Sequence, residues 1–566
     1  MTDIHSFASK GDIAAVQKML AGGVSVDLRN DSDLTPLACA ASSAVANSAM
    51  LTLLIDSGAD VNASVDGGKN FPLNLAACSG SLDKVQTLAT AGADVNAASD
   101  SGYTALINVM YKLFDSDQLV PMINLLLELG ANTDCETSYG ESPLSVSSNF
   151  GRFDAVEVLL NAGVDPSPLG WNDLMKAVAL GTCEEVRRQL ASGLSITDSD
   201  CWERTPWLLA SVVGSVEKAK LLQTAGANLN DRKRGGSTAL AICAENGNSK
   251  MLAWLLEAGI DIEAVDGADN TTLMLAAQTD DAECVRVLLD AGANSSSRNE
   301  YGETAISMTT CEQVMRQLIA AGEDIAEIST GLKRILVGFN SNESSTLNVT
   351  KTEYQSGCRR RFGKTNPEEM NIPFWKEMIR TGITGYGGKA QFDDVGNMEE
   401  PTWCFDRFGS SFTELPDGRF VQIGGEHEDH YDPDFCIYND VTVHEKNKPL
   451  RIMGYPETDF PPTDFHSATF FQGFVYVIGS LGYHGSRLLG TTPVYRFNTD
   501  TWEVEAVETT GANPGWIYRH KSRFVEDGKV VVSGGKVAAE VNGSENHSEL
   551  EGDYMLDLKT GLWTRP

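Results

Sequence analysis

A glycine returns about every 33 residues through the first 330 residues of this chain, and that recurrence limits its possible folds more than any other feature. The positions are Gly23, Gly58, Gly92, Gly130, Gly163, Gly193, Gly226, Gly259, Gly292 and Gly322, spaced 35, 34, 38, 33, 30, 33, 33, 33 and 30 apart. Most sit in a short apolar segment such as LIDSGADVN ending at Asn62, LATAGADVN at Asn96 or LLDAGANSS at Ser296. A second element follows most of them: TPLACAA from Thr35, FPLNLAA from Phe71, SPLSVSS from Ser142, TALAICA from Thr238, TTLMLAA from Thr271. A period of this length marks a stacked array, in which no unit buries its apolar face alone but neighbours bury it together.

The local chemistry agrees. Thr/Ser-Pro-Leu predicts a helix start, because the hydroxyl caps free N–H groups and proline fits the first turn. Alanine and serine along that helix permit close packing. A Leu-Leu pair anchors a second helix, and the glycine after it ends that helix in a left-handed conformation. The pattern resembles the ankyrin repeat over residues 1–328, in about ten copies. It departs from the family at the TPLH histidine, which is Ala38, Asn74, Ile107 or Ser145 in successive copies. The sixth unit, Trp171 to Gly193, is short, and an extra loop lies around Phe114–Pro121.

The resemblance implies a binding module whose partners meet the hairpin tips and first helices. Tyr139, Trp202 and Tyr301 fall at tip positions, and Arg232, Lys233 and Arg234 form a basic tip on an acidic array. Tip aromatics suit a partner's anchor pockets. The alternative is that they pack on neighbouring hairpins, and that the basic tip is solvated.

Composition changes near residue 330. The first 330 residues hold 13 aromatics and the remaining 236 hold 31, with seven of the eight histidines. Three segments there align at Gly425, Ser480 and Gly535, a period of 55. Each has an alternating apolar run, such as RFVQIGG or FVYVIGS, bounded by turn residues, which predicts strands. The units resemble Kelch repeats, through Gly424-Gly425, Gly479, Gly534-Gly535, Tyr438, Tyr495, Tyr554, Trp502 and Trp563. The expected fold class is therefore multidomain: an α-solenoid of ankyrin repeats (1–328), a connecting or irregular, partly helical segment (329–400), and an all-β Kelch-like, propeller-type domain (401–566). The combination is similar to bacterial proteins that join these two repeat types. Closure of a propeller needs about four blades, and three are visible. Either residues 331–400 supply a fourth, or the domain is open or closes in a dimer. Within that segment Asn366 to Arg380 predicts an amphipathic helix.

Kelch geometry would gather one set of loops on one face. Those loops carry His427, Asp429, His430, Asp432, Asp434, Asp464, His466, His484, Arg487, Arg519 and His520. Imidazoles with carboxylates suit a divalent metal, with His427 and His430 the candidate ligands, or acid–base chemistry, since histidine titrates near neutrality. The competing expectation is solvated loops and histidines that bridge blades. Gly387–Lys389 is not a phosphate loop: Ile383 stands where its first glycine belongs, and Ala390 replaces Ser/Thr. No GxSxG occurs.

The chain has 566 residues, with 44 basic and 78 acidic, a net charge of −34. Such a charge disfavours nucleic acid and anionic membranes as partners. Eleven cysteines without a CxxC pair, and no signal peptide, predict reduced thiols and a cytoplasmic location. The sequence thus predicts a protein-interaction scaffold, its partners carrying basic surfaces and no cofactor required. The alternatives are a metal-dependent or acid–base enzyme on the histidine-rich face and a small-ligand receptor in a propeller mouth.

Overall fold

The computed structural model describes residues 3–114, 116–326, 328–339, 346–392, 401–427, 435–446 and 448–566. The chain forms two compact units, Met1–Gly302 and Glu303–Pro566. No helix among the described residues is long and apolar enough to cross a membrane.

Among the described residues the first unit holds nine helix pairs, from Ile4–Lys10 with Ile13–Ala21 to Thr272–Gln278 with Ala282–Asp290. Several first helices open on the caps expected: Thr35 Oγ1 accepts from Ala38 N–H at 3.2 Å, and Ser142 forms a reciprocal capping box with Ser145, whereas Thr205 makes no cap and donates to Asp231 instead. The recurring glycines have φ between 81° and 95°, and a Cβ added there would meet no atom within 4 Å. They are fixed by backbone conformation and not by crowding.

Two further devices join the repeats. At the hairpins, Asn62 accepts from Asp94 N–H at 2.8 Å and donates to Gly92 O at 3.1 Å, and Asn96 does the same to Asn132 and Gly130 at 2.6 and 3.1 Å. Beneath the helices, a buried Lys84 reaches the carbonyls of Ala40, Ala41 and Ser43, where the preceding first helix ends. Lys218 repeats this at Val178 O, 2.7 Å away. Each ammonium satisfies carbonyls that a helix end leaves open.

The second compact unit starts at Glu303 and includes the tenth repeat. The first helix of this repeat is a 3₁₀ turn, Ala305–Met308, followed by Glu312–Ala320. Arg316 explains the allegiance: it pairs with Glu414 at 3.1 Å and lies over the Phe420 ring, both in the β region.

Among the described residues, three sheets of four antiparallel strands each recur at the 55-residue period. The first pairs Ser411–Glu414, Phe420–Ile423, Val441–His444 and Arg451–Gly454, with Glu368–Glu369 added outside the last. The second comprises Ser467–Phe471, Phe474–Ile478, Val494–Asn498 and Val504–Ala506. The third comprises Lys521–Phe524, Lys529–Ser533, Tyr554–Asp557 and Leu562–Thr564, with Thr510–Gly511 parallel to the last. Their first strands lie side by side in sequence order. Val421, Ile423 and Met453 pack on Val475, Val477 and Phe497, and Tyr476 and Ile478 pack on Val530, Val532 and Trp563.

Among the described residues no fourth four-stranded sheet joins these three, and ring closure is not seen. The described residues between 331 and 392 do not supply one. Their regular structure is four short helices, Thr330–Leu336, Lys351–Gly357, Pro373–Thr381 and Gly385–Gln391, besides the strand Glu368–Glu369. Where a preceding sheet would stack, Lys333 lies over Phe412, Arg316 over Phe420, and Phe405 against His444. At the other end the apolar row ceases. Phe474, Tyr476 and Ile478 of the second sheet correspond to Lys529, Val531 and Ser533 of the third, and Lys521 and Arg523 beside them are exposed. A polar outer face is how a repeat stack ends.

Candidate functional sites

The predicted tip residues divide into two groups. Tyr139 and Tyr301 are 75% and 73% exposed on their hairpins. Trp202 is half-buried, its indole N–H donating to Ser145 O at 3.0 Å, so it ties its hairpin to a first helix. The basic tip is likewise occupied at home. Arg232 donates to Gly236 O and Val265 O at 2.6 Å, Lys233 pairs with Glu245 at 2.6 Å, and Arg234 reaches Glu203 at 3.4 Å.

Of the histidine-rich face, Asp429, His430, Asp432 and Asp434 lie outside the described residues. The others serve different partners. His427 is buried in the short strand Glu426–His427, with Nε2 3.1 Å from Thr402 O. Asp464 is fully buried and accepts from Gly482 N–H at 2.6 Å; burial raises its pKa. His466 Nε2 lies 2.9 Å from Ser411 Oγ, and His520 Nε2 lies 2.9 Å from Ser467 Oγ. In each case the residue before the strand reaches back to the first residue of the preceding sheet.

Burial lowers the pKa of His466 to about 3, with the His520 charge adding to it, and that of His520 to about 4. Both are neutral at physiological pH, so neither has the near-neutral titration that acid–base work there would use. Arg519 is exposed, its guanidinium 4.3 Å from the Phe465 ring centroid. Among the described residues no group of three or more His, Cys, Asp or Glu is arranged to hold a metal ion.

His484 and Arg487 meet residues that the sequence did not single out. Arg487 pairs with Glu545, His484 Nε2 lies 3.5 Å from the same carboxylate, and His547 Nε2 lies 3.0 Å from it. Tyr518 OH is 2.8 Å from His547 Nδ1. Arg487 also donates to Leu481 O and Gly482 O. The cluster therefore latches the hairpin Lys536–Glu549 onto the loop after the second sheet's central strand. Nothing in SENHSE announces it, since the segment reads as an alternating polar strand.

The first unit holds a second unpredicted cluster. Tyr103 and Tyr111 both donate to Glu141, at 3.0 and 2.7 Å. Tyr103, Tyr111, Phe150 and Phe114 form a chain of ring contacts with centroids 6.2, 5.5 and 5.0 Å apart. All are partly accessible, and Phe114 is 44% exposed. The available signal was density: five of the thirteen aromatics before residue 330 lie between 103 and 150.

A family model described as ankyrin repeats in three copies matches residues 4–99, 73–169 and 174–266. A second, described as ankyrin repeats in many copies, matches residues 255–308. Together they span the helix pairs described above and end where the β-rich region has not begun. Over residues 4–308, therefore, the chain belongs to the ankyrin-repeat family.

Proposed function

We propose that this protein is an interaction scaffold, whose ankyrin array recognises partners with basic surfaces and whose three-sheet, Kelch-like unit offers a second recognition surface. The observation that carries the reading is the pair Tyr139 and Tyr301, large aromatics left three-quarters exposed on an array that holds 19 basic and 39 acidic residues in positions 1–302. Exposed aromatics supply anchors, and a uniform negative field steers oppositely charged proteins. No cofactor enters this role.

The test is capture on the immobilised full chain, followed by association kinetics with the captured partner at 50 and 150 mM salt. Association should slow several-fold at the higher salt. A rate indifferent to salt, or unchanged in Tyr139→Ala/Tyr301→Ala, overturns the reading.

A further inference from the structure

We infer that the fourth and fifth repeats hold a lysine or arginine side chain of a partner protein on the aromatic cluster centred on Glu141. The inference rests on the scaffold reading and gives it a place and a chemistry.

The argument starts from the carboxylate. Glu141 receives the Tyr103, Tyr111 and Thr137 hydroxyls, and no basic side chain pairs with it among the described residues. The nearby Arg152 is committed elsewhere, to the carbonyls of Leu113, Phe114 and Ser116 and to Asp154. A negative charge is thus held among aromatic rings with no cation to balance it. The two phenols keep their protons, since burial first and the carboxylate next raise both pKa values. A phenol that donates to a carboxylate carries a more electron-rich ring, which strengthens its attraction for a cation over its face. Phe150 bridges Tyr111 to Phe114 and extends that surface to solvent. The long aliphatic stem of a lysine or arginine suits the same rings.

Charge selects the occupant. The array carries a net −20 over residues 1–302, so an acidic or neutral segment gains nothing from approaching it, while a basic one is drawn in. Phe114, just past the fourth repeat's first helix, stacks on Phe150, just past the fifth's, with ring centroids 5.0 Å apart.

The probe is a blocked decapeptide of alternating lysine and glycine, titrated into the full chain by calorimetry at low salt. Phe114→Leu/Phe150→Leu keeps apolar volume but removes two rings, and Glu141→Gln removes the charge. Asp290→Asn, on an exposed second helix, controls for net charge. We expect each patch variant to weaken binding about five- to tenfold, as cation–π contacts of this kind contribute, and Asp290→Asn to leave it within twofold. Circular-dichroism melts establish that each variant is folded. Equal binding by the wild type and the leucine variant, or no binding by the wild type, overturns the inference. The two readings fail separately. If the leucine variant captures the same partners as the wild type, this inference falls and the scaffold stands. If the peptide binds through the rings but the Tyr139/Tyr301 variant captures its partner at an unchanged rate, the scaffold reading falls and this one stands.

Discussion

His520 Nε2 lies 2.9 Å from the hydroxyl of Ser467, and one sheet earlier His466 makes the same contact with Ser411. The backbone repeats the link. Phe465 N–H donates to Gly409 O at 2.7 Å and Arg519 N–H to Phe465 O at 2.8 Å. Both donors have positive φ, 49° and 57°, a conformation held against its cost by these sheet-to-sheet bonds. The contact series begins and ends with the stack. Ser410 stands where a first histidine would be, and Lys521 where a third serine would be.

Acid should therefore loosen the β unit. His444, His466 and His520 have pKa values lowered by burial to about 3, 3 and 4, against about 6.5 when unfolded. The unfolded chain binds more protons between those limits. Stability from these groups is complete above about pH 6.5 and is lost progressively as pH falls to about 3. Urea midpoints followed by tryptophan fluorescence should fall across that window. His520→Asn should be less stable at pH 7 by about 1 kcal/mol for the lost bond, yet show a shallower pH slope. A slope identical to the wild type would contradict neutral burial of His520.

The buried lysines should matter more than their charge suggests. Lys84→Met keeps most of the stem but leaves the carbonyls of Ala40, Ala41 and Ser43 without their donor. A buried acceptor left bare costs about 1–3 kcal/mol. Lys218→Met, with one carbonyl at stake, should cost less. Thermal melts of the two variants followed at 222 nm read the difference, and an equal loss would refute the capping role.

The glycine after each second helix gives a graded prediction. At Gly226, φ is 91° and nothing lies within 4 Å of an added Cβ. Alanine there should cost about 1 kcal/mol for conformation alone, and asparagine less. Gly102 differs, since its Cβ would stand 2.8 Å from Glu136 O. Gly102→Ala should destabilise clearly more than Gly226→Ala, as a denaturant series would show.

What could be read from the sequence follows from how each feature is encoded. The array was legible because its caps, glycines and Leu pairs are local and recur ten times. The strands were legible through alternation, and their common period through Gly425, Ser480 and Gly535. The roles of His466 and His520 were not, because a loop position says nothing of what lies across the next sheet. What stands beside the first sheet was likewise hidden. That Arg316, Lys333 and Phe405 cover the first sheet is a long-range fact with no local signature. The Tyr103–Glu141 cluster left only a rise in aromatic density, since its members come from two different repeats.

The last prediction concerns the ion pair that anchors this helical cover. Arg407 and Asp440 are both buried and bond at 2.5 Å, and Trp403 N–H donates to the same carboxylate at 2.7 Å. Trp403 stacks on Trp375 of the helix Pro373–Thr381 at 4.7 Å, so Asp440 links the first sheet to that helix. Arg407 also lies against the Tyr438 ring, 3.7 Å from its centroid. Removing one partner leaves a buried charge uncompensated, at about 3–5 kcal/mol. Asp440→Asn and Arg407→Met should each destabilise the β unit by that order. Combined as Arg407→Met/Asp440→Asn they should cost much less than the sum, because no charge is left stranded. Urea denaturation of the four chains, followed by tryptophan fluorescence, measures the coupling. Additive losses would mean that the two side chains act independently, and that the stacked tryptophans alone hold the helix to the sheet.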